Sequence, residues 1–175
     1  MSKNGVIVFD DKETSLILND FINKIISSGL DFSNTGIIGI KNGGIILADL
    51  IKKAVLDRFG IDCKIGYIDM TLYRDDPFAV KKSGDSTDIN FDINDKEILL
   101  VDDVISSGRT VRASIDEIFD FGRPAKIKLA VFIDKDGREL PVCPDFIGRK
   151  IKAEKNEIIN VNITSISDKK FVEKI

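Results

Sequence analysis

The sequence predicts an α/β fold, in which a doubly wound and mostly parallel sheet is flanked by helices. Short apolar runs typical of buried strands alternate with longer segments in which apolar residues recur every three or four positions, as in amphipathic helices. Turn-forming residues separate these segments, and the chain contains no internal repeat, low-complexity tract or long linker. We therefore expect a single domain over residues 1–175.

Two helices and two strands are predicted in the first part of the chain. The first helix runs from about Lys12 to Ser28, and Gly29 ends it because glycine readily adopts the left-handed conformation found after helices. The second helix stops near Gly60. The apolar stripes of the two helices comprise Leu18, Phe21, Ile22, Ile25 and Ile26, and then Leu47, Leu50, Ile51, Ala54 and Val55. The strands run from Thr35 to Ile40 and from Lys64 to Met70.

The second part of the chain is predicted to contain three more strands, one helix and a long mobile loop. The loop covers about residues 75–94, where proline, glycine and many polar residues interrupt the apolar periodicity. An apolar strand over 98–101 follows and leads to a helix that ends near Phe121. One face of this helix carries Val111, Ile115, Ile118 and Phe119. The remaining strands are Ile127 to Ile133 and, as an edge strand of alternating polarity, Ile158 to Ile163.

The composition excludes several classes of protein. The net charge of −3 gives no general attraction to nucleic acid, and the absence of histidine and of a cysteine cluster argues against structural zinc. Two cysteines, Cys63 and Cys143, do not make a disulfide framework, so we expect a reducing, cytoplasmic setting. No apolar run approaches the ~20 residues that span a membrane, and the sequence does not begin with a signal-peptide pattern.

The segment 98–110 carries the clearest functional signal. A buried strand is followed by Asp102 and Asp103, and then by a hydroxyl- and glycine-containing turn that opens a helix. The N-terminus of a helix attracts phosphate through its free N–H groups and its dipole, while glycine lets the backbone approach and hydroxyls donate to phosphate oxygens. Carboxylates at the strand end accept hydrogen bonds from vicinal hydroxyls, directly or through a metal ion. The alternative is that these residues only cap and turn the chain.

The full run of thirteen residues resembles the phosphoribosyl-diphosphate (PRPP) motif of the type I phosphoribosyltransferases. Further segments are similar to one family within that group, the pyrimidine operon attenuators that are also uracil phosphoribosyltransferases. These segments are Gly39-Ile40-Lys41-Asn42-Gly43-Gly44, Asp69-Met70-Thr71-Leu72-Tyr73-Arg74-Asp75-Asp76, Gly108-Arg109-Thr110-Val111-Arg112-Ala113 and Arg138-Glu139-Leu140-Pro141. The similarity spans roughly the whole chain in the same order and with similar spacing.

The resemblance implies a type I phosphoribosyltransferase fold, with a small hood and a mobile loop near the active site. Asp102 and Asp103 would serve the ribose hydroxyls and the Mg²⁺ ion that binds with PRPP, and Arg74 would stabilise the leaving diphosphate. The 5′-phosphate would be held by Val104, Ile105, Ser106, Ser107, Gly108, Arg109 and Thr110. The diphosphate loop would be Lys41, Asn42 and Gly43, and the base would bind near Ile133, Asp134 and Lys135.

Two positions depart from the family pattern. The family usually has a basic residue where Gly43 stands, so we expect weaker PRPP binding and a lower KM for PRPP in a Gly43→Arg variant of unchanged fold. Lys135 stands where the family often has arginine. Taken alone, Arg74, Lys135 and Arg138 are each also compatible with ordinary surface charge.

The identity of the base depends on a different position. Enzymes for 6-oxopurines resemble this motif but have an aspartate general base two residues before its glycine, where this chain has Ser106. A serine hydroxyl ionises far too weakly for that role, which argues against hypoxanthine and guanine. Uracil, orotate and adenine stay open on this criterion. The segments around Arg74 and Arg138 resemble the uracil family and favour conversion of uracil to uridine monophosphate (UMP).

The resemblance also implies a second function, the UMP-responsive binding of an RNA hairpin. RNA affinity requires phosphate contacts from lysine and arginine, and Arg138 and Arg149 are retained at such positions. Other family contact residues are replaced, by Asn19, Asn23, Ser28 and Cys143. We therefore expect a uracil phosphoribosyltransferase that uses Mg²⁺, with RNA binding weakened or lost, in a dimer or larger assembly.

Overall fold

The computed structural model describes residues 5–69, 87–154, 156–163 and 169–175, which form eight strands and three helices. In chain order the elements are β1 (Val6–Phe9), α1 (Asp11–Ile26), β2 (Thr35–Ile40), α2 (Gly43–Phe59), β3 (Lys64–Ile68), β4 (Glu97–Ile105), α3 (Arg109–Phe121), β5 (Lys126–Lys135), β6 (Phe146–Ile151), β7 (Ile159–Asn162) and β8 (Phe171–Lys174). Over these described ranges, no helix combines the length and the apolar composition needed to cross a membrane.

Five strands form a parallel sheet in the order β3-β2-β4-β5-β6. Helices α1 and α2 contribute to the apolar core on one face of this sheet, and α3 contributes to the core on the other face. This arrangement confirms the predicted doubly wound, mostly parallel sheet. Strand β2 lies inside the sheet and is buried along its whole length, which explains its uninterrupted run of small and apolar residues.

The other three strands form a small antiparallel sheet in the order β1-β8-β7, which is the hood that the resemblance implies. Ile159, Ile163 and Val172 from the hood join the core that contains α1 and α2. Strand β7 lies at the edge of this small sheet, within the predicted edge strand. Strands β1, β6 and β8 are not predicted from the sequence, because strands of four to six residues depend on partners that are distant in the chain.

Helix α1 begins and ends close to its predicted limits, and α2 ends where it was predicted to end. At the start of α1, the Asp10 carboxylate accepts a hydrogen bond from the Glu13 N–H at 2.9 Å, and the Glu13 carboxylate accepts one from the Asp10 N–H at 3.1 Å. Such a capping box stabilises a helix by about 1 kcal/mol. Gly29 and Gly60 both have positive φ angles, as expected for glycines that follow helices.

Helix α3 differs from its prediction in one side chain. Val111, Ser114 and Ile118 form its buried face, whereas Phe119 is 41% exposed, with the Arg123 guanidinium 5.6 Å from its ring centroid. At 100° per residue, Phe119 lies about 80° from Val111 around the helix, at the margin of the buried face. The periodicity of apolar residues along the helix therefore does not show which of the neighbours Ile118 and Phe119 is buried.

Two predicted boundaries near the site were wrong. Strand β4 continues to Ile105, so Asp102 and Asp103 lie within the strand and do not follow it, because β5 pairs alongside as far as Ile105 opposite Asp134. The predicted mobile loop does not extend to residue 94. Asp88 and Tyr67 exchange two backbone hydrogen bonds of 2.8 Å, and Ile93 is fully buried. Residues 75–86 of that prediction lie outside the described residues.

The start of α2 lies very close to the central strands. A β-carbon on Gly39 would come within 2.8 Å of the Gly44 carbonyl oxygen, and one on Gly44 would come within 3.2 Å of the Asp102 Cα. Only glycine permits such an approach at both positions. The residues at the start of α2 are therefore placed directly beside Asp102 and Asp103.

Candidate active site

A cleft of about 1340 Å³ opens at the carboxyl ends of β4 and β5, between the main sheet and the hood. Ligands bind at this edge in doubly wound sheets. The cleft brings together most of the residues predicted from the sequence, namely Asn42, Gly43, Asp102, Asp103, Val104, Ile105, Ser106, Ser107, Gly108, Arg109, Thr110, Lys135 and Arg138. Lys41, Ile133, Asp134 and Arg149 are not among the residues that line it, and Arg74 lies outside the described residues.

Asp102 and Asp103 are adjacent in β4 but have different surroundings. Asp102 is 1% exposed, and its carboxylate accepts a hydrogen bond of 2.9 Å from the Asp103 N–H. Asp103 is half-buried, and its Oδ1 accepts a hydrogen bond of 2.9 Å from the Val104 N–H. Asp103 is thus the more accessible of the two acids for a ligand in the cleft, and Asp102 is almost completely buried.

The turn after β4 has the features of an anion site. Gly108 adopts the left-handed conformation with φ of 90°, and it provides no side-chain cap for α3, which begins at Arg109. The first N–H groups of a helix lack intrahelical partners and carry its positive dipole end. Hydroxyl groups of Ser106, Ser107 and Thr110 surround these amides in the cleft. The turn can therefore bind a phosphate dianion by both amide and hydroxyl donors.

The loop after β5 is fastened to this turn. The N–H groups of Glu139 and Leu140 donate to the Ser107 carbonyl at 3.0 and 3.2 Å. The Ser106 hydroxyl donates to the Asp136 carbonyl at 3.3 Å, and Arg109 forms an ion pair of 2.8 Å with Glu139. The loop and the turn are therefore one continuous wall of the cleft.

Arg138 is the central connection in this wall. Its Nη1 donates to the Ser106 carbonyl at 2.5 Å, and its Nη2 donates to Asp134 Oδ1 at 2.7 Å. The sequence assigned Arg138 to RNA contact, but here its guanidinium binds two acceptors of its own chain. Arg149, the other predicted RNA contact, is exposed on β6 outside the cleft.

The predicted diphosphate loop is only partly in the cleft. Lys41 Nζ lies 3.6 Å from Asp69 Oδ2, and the Lys41 side chain is 18% exposed. Asn42 and Gly43 line the cleft, and a β-carbon on Gly43 would come within 2.6 Å of the Asp103 β-carbon. The prediction that Gly43→Arg leaves the fold unchanged conflicts with this geometry, because an arginine there must displace Asp103.

The three residues predicted near the base have side chains engaged within the protein. Ile133 is fully buried in the core, so its side chain does not face the cleft. The Asp134 carboxylate accepts the hydrogen bond from Arg138. The Lys135 ammonium donates to the Glu157 carbonyl, which lies just before β7.

The sequence did not identify the hood as part of the site. Residues 157–163 and Ile175 line the cleft, and Ile158 is 63% exposed there. Their alternation of apolar and polar residues indicated an edge strand, but local periodicity does not show which strand or cleft it faces. The exposed Ile158 places an apolar side chain in the cleft, and apolar side chains of this kind suit the packing of a heterocyclic base.

The two acids fit a Mg²⁺ ion that arrives with its substrate. Within the described part of the chain, no group of three or more histidine, cysteine, aspartate or glutamate side chains could hold a metal ion. Mg²⁺ is usually bound by one or two carboxylates together with substrate phosphates and water. Asp103, the accessible acid of the pair, matches this partial ligand set, so it would hold Mg²⁺ only together with a diphosphate.

The chain is similar to known proteins over most of its length. The family model for the phosphoribosyl transferase domain matches residues 8–164. The protein named Bifunctional protein PyrR from Listeria monocytogenes serotype 4b (strain CLIP80459) is 42% identical over 168 residues, which cover 93% of this chain and 92% of the relative. Bifunctional protein PyrR 1 from Lactiplantibacillus plantarum is 46% identical over 142 residues, 79% of each chain.

The fold is also found among solved structures. The HGPRT-ase from Leishmania tarentolae, solved with GMP, superposes with a TM-score of 0.65 at 18% identity and covers 85% of this chain and 82% of that chain. The chain therefore belongs to the phosphoribosyltransferase family. Within that family, it groups with the PyrR proteins that it resembles over most of its length.

Proposed function

We propose that this protein transfers the phosphoribosyl group of PRPP to uracil and releases UMP and diphosphate. The observation that carries the proposal is the meeting of the PRPP motif, the start of α2, the loop after β5 and the hood in one cleft. In the reaction, N1 of uracil bonds to C1 of the ribose, the bond from C1 to the diphosphate oxygen breaks, and the N1 proton is taken up by the released diphosphate.

The motif residues hold the sugar phosphate in this proposal. The 5′-phosphate binds at the turn 106–110, where the α3 amides and the hydroxyls of Ser107 and Thr110 donate to its oxygens. Asp103 accepts hydrogen bonds from the ribose hydroxyls. The same carboxylate would hold a Mg²⁺ ion that binds with PRPP, and the ion would supply positive charge to the leaving diphosphate. Catalysis then arises from positioning and electrostatic stabilisation, and no covalent nucleophile is needed.

The position of Ser106 argues against hypoxanthine and guanine as the base, and the segments around Arg74 and Arg138 favour uracil among the bases that are left. The Ser106 hydroxyl donates to the Asp136 carbonyl and its own carbonyl accepts from Arg138, so Ser106 is a fixed structural residue of the wall. It stands where 6-oxopurine enzymes have their aspartate general base. The purine enzymes among the solved structures share only the fold at this level of identity.

The decisive experiment is an assay of nucleoside monophosphate formation from PRPP and Mg²⁺ with uracil, orotate, adenine and hypoxanthine. We expect the highest kcat/KM with uracil and loss of activity when EDTA removes Mg²⁺. A preference for orotate or hypoxanthine would refute the assignment of the base. Absence of product with every base would refute the enzymatic proposal.

RNA binding is the second candidate function, because the similar PyrR proteins carry the name bifunctional. Exposed basic side chains on and after the edge strand β6, at Arg149, Lys150 and Lys152, could contact phosphates. Arg138 contributes less to such a surface, because its guanidinium is already bound to Ser106 and Asp134. Weak, mainly electrostatic binding of RNA is the form of this function that the site supports.

A further inference from the structure

Lys135 is the one buried lysine among the residues that the structure describes. It is the last residue of β5, at the end of the sheet where the cleft opens, and it is 6% exposed. Burial of an ammonium ion is costly unless hydrogen bonds and charges compensate it. Its Nζ donates to the backbone carbonyl of Glu157, two residues before β7. The bond therefore joins the main sheet to the hood.

Glu157 is itself firmly held in the hood. Its carboxylate forms an ion pair of 2.7 Å with Lys174 of β8 and accepts a hydrogen bond of 2.7 Å from the Glu154 N–H. These interactions hold the pKa of the Glu157 carboxyl below its ordinary value, with the Lys174 hydrogen bond as the largest cause. The next residue, Ile158, exchanges two backbone hydrogen bonds with Ile175, of 3.0 and 2.9 Å.

Strand β7, which begins directly after Glu157 and Ile158, forms one wall of the cleft. Residues 159–162 of β7 and the exposed Ile158 line the cleft together with the PRPP motif. A displacement of β7 away from β5 would widen the cleft, while the turn 106–110, which is hydrogen-bonded to the loop after β5, would stay in place.

We propose that Lys135 is a positioning residue, whose ammonium ties β7 to the end of β5 and so sets the space that the cleft leaves for the base. The role of Lys135 in base selection rests on the proposed function. The tie, which is the hydrogen bond from Lys135 to the Glu157 carbonyl, is a property of the protein without ligands. The Lys135 side chain acts through Glu157 and β7, and backbone groups near residues 133–135 remain the predicted contacts to the base. An arginine at position 135 can reach the Glu157 carbonyl as well, so it should preserve the function of Lys135.

The experiment compares Lys135→Met, which keeps the length of the side chain without its charge, with the conservative variant Lys135→Arg. Lys128→Met on the same strand is the matched control, since Lys128 pairs with Asp145 at the far end of β5. Hydrogen exchange of the β7 and β8 amides is measured without ligands. Steady-state kinetics then give the KM for uracil and for PRPP separately.

For Lys135→Met we expect β7 and β8 amides to exchange at least about ten-fold faster, with β2 and β4 unchanged. The KM for uracil should rise about ten-fold, while the KM for PRPP changes by less than about two-fold. Discrimination against hypoxanthine should fall, because a wider cleft admits a larger base. Lys135→Arg and Lys128→Met should behave as the unmodified protein does.

Unchanged exchange in Lys135→Met would overturn the proposal, and a raised uracil KM would then mark Lys135 as a direct base contact. Faster exchange with an unchanged uracil KM would overturn the link between the tie and the base. If the unmodified protein forms no nucleotide with any base, the proposed function fails, while the exchange measurement still decides whether the tie exists. If Lys135→Met does not fold, Lys135→Gln is measured in the same way.

Discussion

Gly43 and Asp103 lie so close together that a β-carbon on Gly43 would come within 2.6 Å of the Asp103 β-carbon. Carbon atoms that are not bonded pack favourably at about 3.5–4.0 Å, so no side chain fits at position 43 while Asp103 keeps this place. Glycine is therefore required at position 43 for steric reasons, because this residue of the predicted diphosphate loop packs directly against the PRPP motif. A basic residue at position 43 and the present orientation of Asp103 exclude each other.

The first prediction tests this contact by Gly43→Ala. In the first turn of a helix, such a change ordinarily stabilises a protein by about 0.4–1 kcal/mol. Here we expect the free energy of unfolding to fall by about 1–3 kcal/mol, because the new methyl group overlaps Asp103, and the KM for PRPP to rise. Urea unfolding in a double-mutant cycle with Asp103→Gly provides the control. If Gly43→Ala lowers the free energy of unfolding equally with Asp103 and with Asp103→Gly, the result would contradict a contact between these two residues.

The second prediction concerns the accessible acid of the pair. Asp103→Asn removes the charge and keeps the shape, so we expect kcat/KM to fall at least about ten-fold, a loss of about 1.4 kcal/mol of transition-state stabilisation. Asp116→Asn, which alters an exposed carboxylate paired with Arg112, is the matched control. Unchanged kinetics in a folded Asp103→Asn variant would show that Asp103 only caps the backbone of Val104.

The third prediction concerns the two hydrogen bonds by which Arg138 links Ser106 to Asp134, here called the Arg138 clamp. In Arg138→Met, the Ser106 carbonyl and the Asp134 carboxylate lose their donor, and we expect a loss of about 1–3 kcal/mol in the free energy of unfolding. The KM for PRPP should rise as well, because Ser106 belongs to the phosphate turn. Arg112→Met breaks an exposed pair with Asp116 and should cost less than about 0.5 kcal/mol. Equal losses in both variants would contradict the clamp.

The fourth prediction uses the raised pKa of Tyr67. Burial first, and then the hydrogen bond of 3.0 Å to Asp49 with the nearby negative charge, raise the pKa of Tyr67 to about 12 from 10.0. The folded protein thus holds this proton more tightly than the unfolded chain does. The resulting stability is complete below pH 10 and is lost as the pH rises towards 12.

Absorbance titration of tyrosinate can resolve this shift, because the chain has two tyrosines and no tryptophan. We expect a component near pH 12 that disappears in Tyr67→Phe. In Asp49→Asn the component should move towards lower pH without reaching the ordinary value, since burial is the larger cause. A titration of both tyrosines near pH 10 in the folded protein would contradict the prediction.

The fifth prediction concerns RNA. At near-physiological salt, we expect a pyrimidine-operon leader hairpin to bind hardly better than an unrelated hairpin, with an affinity that falls steeply as salt is added. Arg149→Met should weaken the binding of both RNAs alike. Arg58→Met is the control, because it removes the same charged group from α2 and should leave RNA binding unchanged. Tight and selective binding that UMP strengthens would make regulation the primary function.

Local patterns in the sequence were sufficient for the larger elements of the fold. The stripe of Phe21 and Ile25 on α1, the continuous strand β2 and the glycine after α2 each follow from short-range periodicity and backbone preference, which the chain carries in neighbouring residues. The PRPP motif is likewise contiguous, so neighbouring residues alone carry its resemblance to the phosphoribosyltransferases. These features determined the fold class and the family, and they predicted the position of the phosphate-binding turn.

The tertiary structure decided which of those residues are available and what surrounds them. Arg138 and Lys135 are cations in the sequence, but contacts between distant segments bind Arg138 to Ser106 and Lys135 to Glu157. Arg138 also binds Asp134, four residues before it. The steric need for Gly43 and the hood wall of the cleft also arise between segments far apart in the chain. Pairing of this kind depends on the register and packing of distant strands, which no local pattern encodes.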